Sequence, residues 1–131
     1  MKIFSLKIGD RVVEKLTAFV EKENISSGCF LALGALGEAD LMVYDLVKKE
    51  YSTKSLTGPL EVGNFISVIG RDPEGKAHIH PHVTLSNKNF ETYCGHLKEA
   101  VVGATLEVIL FESDQKIERY SDSEIGLNLI K

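Results

Sequence analysis

Apolar and polar residues alternate in blocks along most of this chain, and a helical spacing shows in only one place. Residues 2–7, Lys2-Ile3-Phe4-Ser5-Leu6-Lys7, alternate strictly enough to predict a short strand. Gly9-Asp10 follows, and Asp10 is a candidate helix N-cap because its carboxylate can accept a first-turn N–H. Val12, Val13, Leu16, Phe19 and Val20 then recur on one helix face, which predicts an amphipathic helix of about 14 residues ending near Glu23-Asn24. Ser26-Ser27-Gly28 breaks it.

From Cys29 to Leu36 the chain is almost continuously apolar, with Gly34 inside the run. That predicts a buried strand with a bend or bulge. Residues 39–45 continue as strand, and residues 46–56, with Val47, Tyr51 and Leu56 among charges, fit an exposed antiparallel strand. Thr57-Gly58-Pro59 predicts a turn, residues 60–70 a further strand, and Asp72-Pro73-Glu74-Gly75-Lys76 a hairpin turn. Residues 77–86 then form a strand that ends in the turn-like Ser86-Asn87-Lys88-Asn89. Residues 95–100 predict a loop or a short second helix, Gly103 to Phe111 a buried strand, and residues 116–120 a weaker one. The tail from Ile125 to Ile130 is expected to pair as a final strand or to pack on a partner. The fold class is α+β: a mostly antiparallel sheet with one main amphipathic helix and a short second helix, in one domain over residues 1–131.

Composition narrows the function. A chain of 131 residues, 44% of them apolar, can bury one core without disulfide staples. Its net charge is −4, and its longest pure basic run is a pair, such as Lys48-Lys49. A surface that neutralises a phosphate backbone is therefore not expected. Cys29 and Cys94 lie far apart and are expected to be reduced thiols of a cytoplasmic protein. The N-terminus lacks the apolar segment of a signal peptide, and no apolar run approaches the roughly 20 residues of a membrane span.

The chemistry concentrates in Ala77-His78-Ile79-His80-Pro81-His82, with His96, the only other histidine, further along. A strand sends residues i, i+2 and i+4 to one face, so His78, His80 and His82 point the same way. Pro81 lacks an N–H, which confines this strand to an edge, a bulge or a strand end and can set His78 apart from His80. With His80 and His82 from the strand and His96 from the next segment, three neutral imidazoles leave a fourth tetrahedral position for water, an anion or a carboxylate. Zinc, or another late first-row divalent ion, suits such ligands. The plainer alternative is an exposed strand whose histidines bond to their neighbours. Glu107, inside an apolar run, either faces solvent or supports the histidines as an acceptor. Ser86 and Thr84 lie near the histidines without a Gly-x-Ser-x-Gly elbow, and Cys94 fits a buried inert thiol better than a nucleophile.

Several segments together resemble the PPC family, also called DUF296, the domain joined to DNA-binding A·T hooks in plant nuclear-localised proteins and found alone in prokaryotes. Gly9-Asp10 before the helix and Ile25 to Gly28 after it look like the family's opening. Leu33 to Asp45 resembles its glycine-alanine segment ending in Tyr-Asp, and Leu60-Glu61-Val62 with Ile66 to Gly70 resembles its next strand. His80-Pro81-His82-Val83-Thr84-Leu85-Ser86 is similar to its His-x-His-x-Ser-Leu-Ser stretch, with Thr84 in place of Ser. Cys94-Gly95-His96-Leu97 and Gly103 to Val108 are similar to the segments that follow, with Cys94 in place of Gly. The resemblance implies an antiparallel α+β fold, a homotrimer, and a zinc-type site near the subunit interface formed by His80, His82 and His96, with His78 an extra neighbour.

The expected function is therefore a stand-alone metal-binding domain, with a small anionic ligand as a candidate occupant and a role in binding or assembly. One alternative is a metal-dependent hydrolase or lyase, for which Glu99 and Glu107 are the nearby carboxylates. Another is a DNA-associated regulator, which the absence of a hook and the acidic charge disfavour.

Overall fold

The computed structural model describes residues 1–131. It contains β1 (Lys2–Lys7), α1 (Val12–Lys22), β2 (Gly28–Asp45), β3 (Glu50–Arg71), β4 (Ala77–Asn87), β5 (Thr92–Glu112), β6 (Arg119–Asp122) and β7 (Leu127–Ile130). The main sheet is antiparallel throughout, in the order β1-β5-β2-β3-β4. A further pairing of β4 with the start of β5 closes β5-β2-β3-β4 into a ring. β1 lies against the later half of β5, from Lys2 opposite Leu110 to Lys7 opposite Thr105. β6 and β7 form a separate hairpin.

Strand alternation decides what lies inside. On β4, Ile79, Val83 and Leu85 are buried, and the histidines between them point to the opposite face. The same core takes Phe30, Leu36 and Leu41 from β2, Leu60, Phe65 and Ile69 from β3, and Leu97, Leu106 and Leu110 from β5. Helix α1 covers it with Val12, Leu16 and Val20, all fully buried. Each such side chain contributes about 1.5–3 kcal/mol of transfer free energy.

The helix starts differently from the expectation. Asp10 does not cap it; its carboxylate instead accepts the N–H of Lys7 at 3.0 Å, which holds that carboxyl below its ordinary range. The cap comes from β5. Glu99 accepts the N–H of Val13 at 2.8 Å through one oxygen and that of Glu14 at 3.2 Å through the other. A negative charge at a helix N-terminus also meets the positive end of its dipole. The helix closes at Lys22, one or two residues before the predicted end, with Asn24 at φ 52° in the left-handed conformation common after helices.

Two further expectations are corrected. Residues 95–100 are neither loop nor second helix; they run within β5. Asp40 of β2 pairs with Glu99 while Leu41 pairs with Leu97, which leaves Lys98 as the extra residue of a bulge. Leu97 and Ala100 both face the core as a result, and their spacing of three imitates a helix. Thr57-Gly58-Pro59 is likewise no chain reversal. Leu36 pairs with Leu60 and Glu38 with Thr57, so Gly58 and Pro59 oppose Gly37 alone. A β-carbon at Gly58 would stand 2.5 Å from the Leu36 carbonyl oxygen, so only glycine fits there without a shift.

Candidate metal centre

His78, His80 and His82 share the outer face of β4, away from the core. His82 is the register partner of His96 on β5, which in turn lies opposite Met42 of β2. β5 accompanies β4 only from His82 onward, so Pro81 sits where β4 has the single neighbour β3, as its missing N–H requires. The rings of His80, His82 and His96 form a nearly equilateral triangle, with centroids 5.0, 5.0 and 5.3 Å apart. One nitrogen from each ring lies within 4.8 Å of the other two.

The Nε2 atoms of His80 and His82 are 3.2 Å apart. Two nitrogens bound tetrahedrally to one zinc would be about 3.3 Å apart, given Zn–N bonds near 2.0–2.1 Å. That pair is thus already at ligand spacing. Nδ1 of His96 is buried and has no hydrogen-bond partner, so one ring nitrogen of the trio is left unsatisfied. Burial pushes His80 down to about 4, with the neighbouring His96 and His82 rings and Arg119 adding to the effect. Burial also lowers His96 and His78. Neutral imidazoles carry the lone pairs a cation needs, so the donor set fits a divalent ion.

Of the other residues named from the sequence, His78 lines the adjoining cavity but stands outside the trio. Glu107 is exposed on the later half of β5, opposite Ser5 and Leu33 and between buried Leu106 and Val108; it does not join the histidines. Glu99 is engaged at the helix N-terminus, where it also lies 3.7 Å from Arg11. Neither carboxylate is placed to act as acid or base at the trio. Cys29 and Cys94 are free thiols, and Cys94 is exposed rather than buried.

Two residues at the site escaped the sequence reading. Tyr51 lies with its ring 5.7 Å from that of His96 and 4.9 Å from that of Tyr44, its register partner. Arg119, the first residue of β6, is buried among the histidines. The β6–β7 hairpin is held over this face from several directions. The N–H of Arg71 donates to the Ile117 carbonyl at 2.9 Å, the Tyr44 hydroxyl to that of Ile125 at 2.8 Å, and the Lys49 ammonium to that of Ser123 at 3.0 Å. Between hairpin and sheet lies a cavity of about 260 Å³, lined by Tyr51, His78, His80, His96, Arg119 and Leu129 among others. A cross-strand tyrosine pair is a weak signal that could have pointed to Tyr51; a lone arginine in a four-residue strand offers none.

The Plants and Prokaryotes Conserved (PCC) domain model matches residues 2–114. A sequence search of curated proteins finds no match. Among solved structures, a metal-containing protein from Archaeoglobus fulgidus is 33% identical, with a TM-score of 0.89 over 99% of this chain and 91% of that one. A protein from Ralstonia eutropha JMP134, provisionally described as DNA-binding, is 30% identical, with a TM-score of 0.90 over 98% and 89% of the two chains. A plant- and prokaryote-conserved (PPC) protein from Pyrococcus horikoshii is 26% identical, with a TM-score of 0.90 over 99% and 90%.

Proposed function

The chain belongs to the Plants and Prokaryotes Conserved (PCC, also written PPC) domain family, and from that premise we propose that it is a metal-binding protein whose His80, His82 and His96 together hold one divalent ion, zinc in preference to others. The observation that carries this is the ring triangle, in which His80 and His82 already stand at ligand spacing. The 33% identical relative from Archaeoglobus fulgidus, described as metal-containing, supports the same reading.

Each ligand has its own source of order. His80 and His82 project from a strand whose alternate residues are locked in the core, and His96 is fixed by pairing with both β4 and β2. Tyr51 packs beside the His96 ring. When bound, the ion would supply an electrophilic centre with an open coordination position. No carboxylate of this chain lines the cavity beside the trio, which favours ligand binding or assembly over hydrolysis.

The family implies a homotrimer, and exposed apolar side chains beside the site support a subunit contact there. Ile66, the register partner of His82, is 46% exposed, and Val43, next to Met42, is 63% exposed. Light scattering on the eluted protein would test the subunit number. The metal reading is tested by elemental analysis of protein purified without a polyhistidine tag. About one zinc per chain is expected for a single site, with loss of zinc in the His80→Ala/His82→Ala double variant. No bound metal, together with unchanged zinc affinity in that variant, would refute it.

A further inference from the structure

Arg119 is only 6% exposed, and no carboxylate pairs with its charge. Its Nη1 donates to the Asn128 carbonyl at 3.0 Å. Its Nε and Nη2 are buried with no hydrogen-bond partner, and none of the ion pairs in the structure includes it. A guanidinium does not shed its proton to escape burial, so the charge remains and calls for a counter-ion. The cavity it lines holds four aromatic or imidazole rings and no Asp or Glu. Nε and Nη2 are the two nitrogens on one edge of the guanidinium, where their N–H bonds run parallel. That edge matches two oxygens of a carboxylate or phosphate.

We propose that Arg119 is an oxyanion-binding residue, and that the cavity between the β6–β7 hairpin and the histidines takes a small molecule bearing a carboxylate or phosphate group. This deepens the metal reading, because a ligand held on Arg119 lies beside His80 and His96, but the arginine's grip does not require the ion. The guanidinium is already covered by its own chain, so the anion must be small enough to enter the cavity, and the Arg119 side chain must turn its covered Nε–Nη2 edge towards it. At about 260 Å³, the space lies near the lower end of small-molecule sites. Arg119 also lies beyond residues 2–114, the part of the chain that the family model covers.

The test uses the full chain, stripped of metal with a chelator, and titrated separately with malonate and with inorganic phosphate. The Nε–H resonance of Arg119 is followed by NMR, with chloride at equal ionic strength as control. The expected result is a saturable shift with malonate, phosphate or both, and none with chloride; the stronger of the two identifies the head group. Binding should weaken about tenfold or more in R119Q and less in R119K, which keeps the charge and loses the fork. Wild-type protein whose Arg119 resonance moves with neither anion would overturn the proposal, as would unchanged binding in R119Q. A changed subunit number in R119Q would overturn it too, by assigning the counter-ion to a neighbouring chain. If R119Q does not fold, the wild-type resonance and R119K still decide. Zinc binding measured on the same samples separates the two readings: zinc without anion binding sinks only this inference, and anion without zinc binding sinks only the metal site.

Discussion

His96 stands directly opposite His82 in the β4–β5 register, and their ring centroids are 5.3 Å apart. Backbone pairing sets that distance, while the strand period sets the distance from His82 to His80. Two independent regularities thus deliver three rings to one point, and neither depends on the chain being loaded with metal.

Replacing any one of the three should therefore remove a ligand without disturbing the scaffold. His80→Ala, His82→Ala and His96→Ala are each expected to weaken zinc binding by about 100-fold or more, measured by competition with a chromophoric chelator near neutral pH. His78→Ala, outside the trio, should change it by no more than about threefold. Equal losses in all four variants would mean that the histidines act as a diffuse cluster rather than a site.

Acid should destabilise the metal-free protein through His80. Its folded value of about 4 lies below the ordinary 6.5, so the unfolded chain binds the proton more readily. The stability contributed by the neutral ring is fully present above pH 6.5 and is lost as pH falls from there towards about 4. Melting temperatures recorded by circular dichroism from pH 7 downward should fall less steeply for His80→Gln than for wild type. Superimposable profiles would show that His80 has no part in the decline.

Glu99 holds the helix start from a neighbouring strand. Glu99→Ala should lower stability by about 1 kcal/mol, the usual worth of a helix N-cap, read from urea unfolding. Zinc affinity should stay unchanged, since the carboxylate faces the helix and not the trio. A large effect on zinc with none on stability would return Glu99 to the metal site.

Gly103 lies where two backbones nearly touch. A β-carbon there would stand 2.6 Å from the Gly37 nitrogen and 2.7 Å from the Leu36 carbonyl carbon. Because backbone cannot rotate away, Gly103→Ala should cost about 2 kcal/mol or more, seen as a lower urea midpoint. An unchanged midpoint would show that β2 and β5 can part at this close approach.

With a net charge of −4 and no basic run, the chain should not bind duplex DNA. Fluorescence anisotropy at low salt is the sensitive condition. A rise in anisotropy that salt abolishes would reinstate the DNA-associated reading.

Much of this architecture could be read in the residues themselves. The histidine strand, the helix face and the turn at residues 72–76 are local patterns, and each formed as its pattern required. Asp72, for instance, accepts the N–H groups of Glu74 and Lys76 at 3.0 and 2.8 Å. What misled were bulges, which break the period a pattern depends on: Lys98 made a strand look helical, and Gly58-Pro59 made one look interrupted. Also hidden were the contacts made across the fold, namely Glu99 under the helix and Arg119 over the histidines. A carboxylate serving another element carries no local mark, and neither does an arginine brought in by a distant hairpin.

All three ring ligands come from β4 and β5, which are joined through the short turn between Asn87 and Glu91. The pairings of β5 with β2 and with β1 must span far more chain, as when Gly28 finds Glu112 or Lys2 finds Leu110. Loop closure costs more with separation, and distant strand pairing is slow. The ligand triangle thus belongs to one of the hairpins, whose search is short, while the ring closes through the long-range pairing of β2 with β5. An ion present during synthesis can meet its ligands on a hairpin before the rest of the domain exists, so the time of loading is not tied to the completion of the fold.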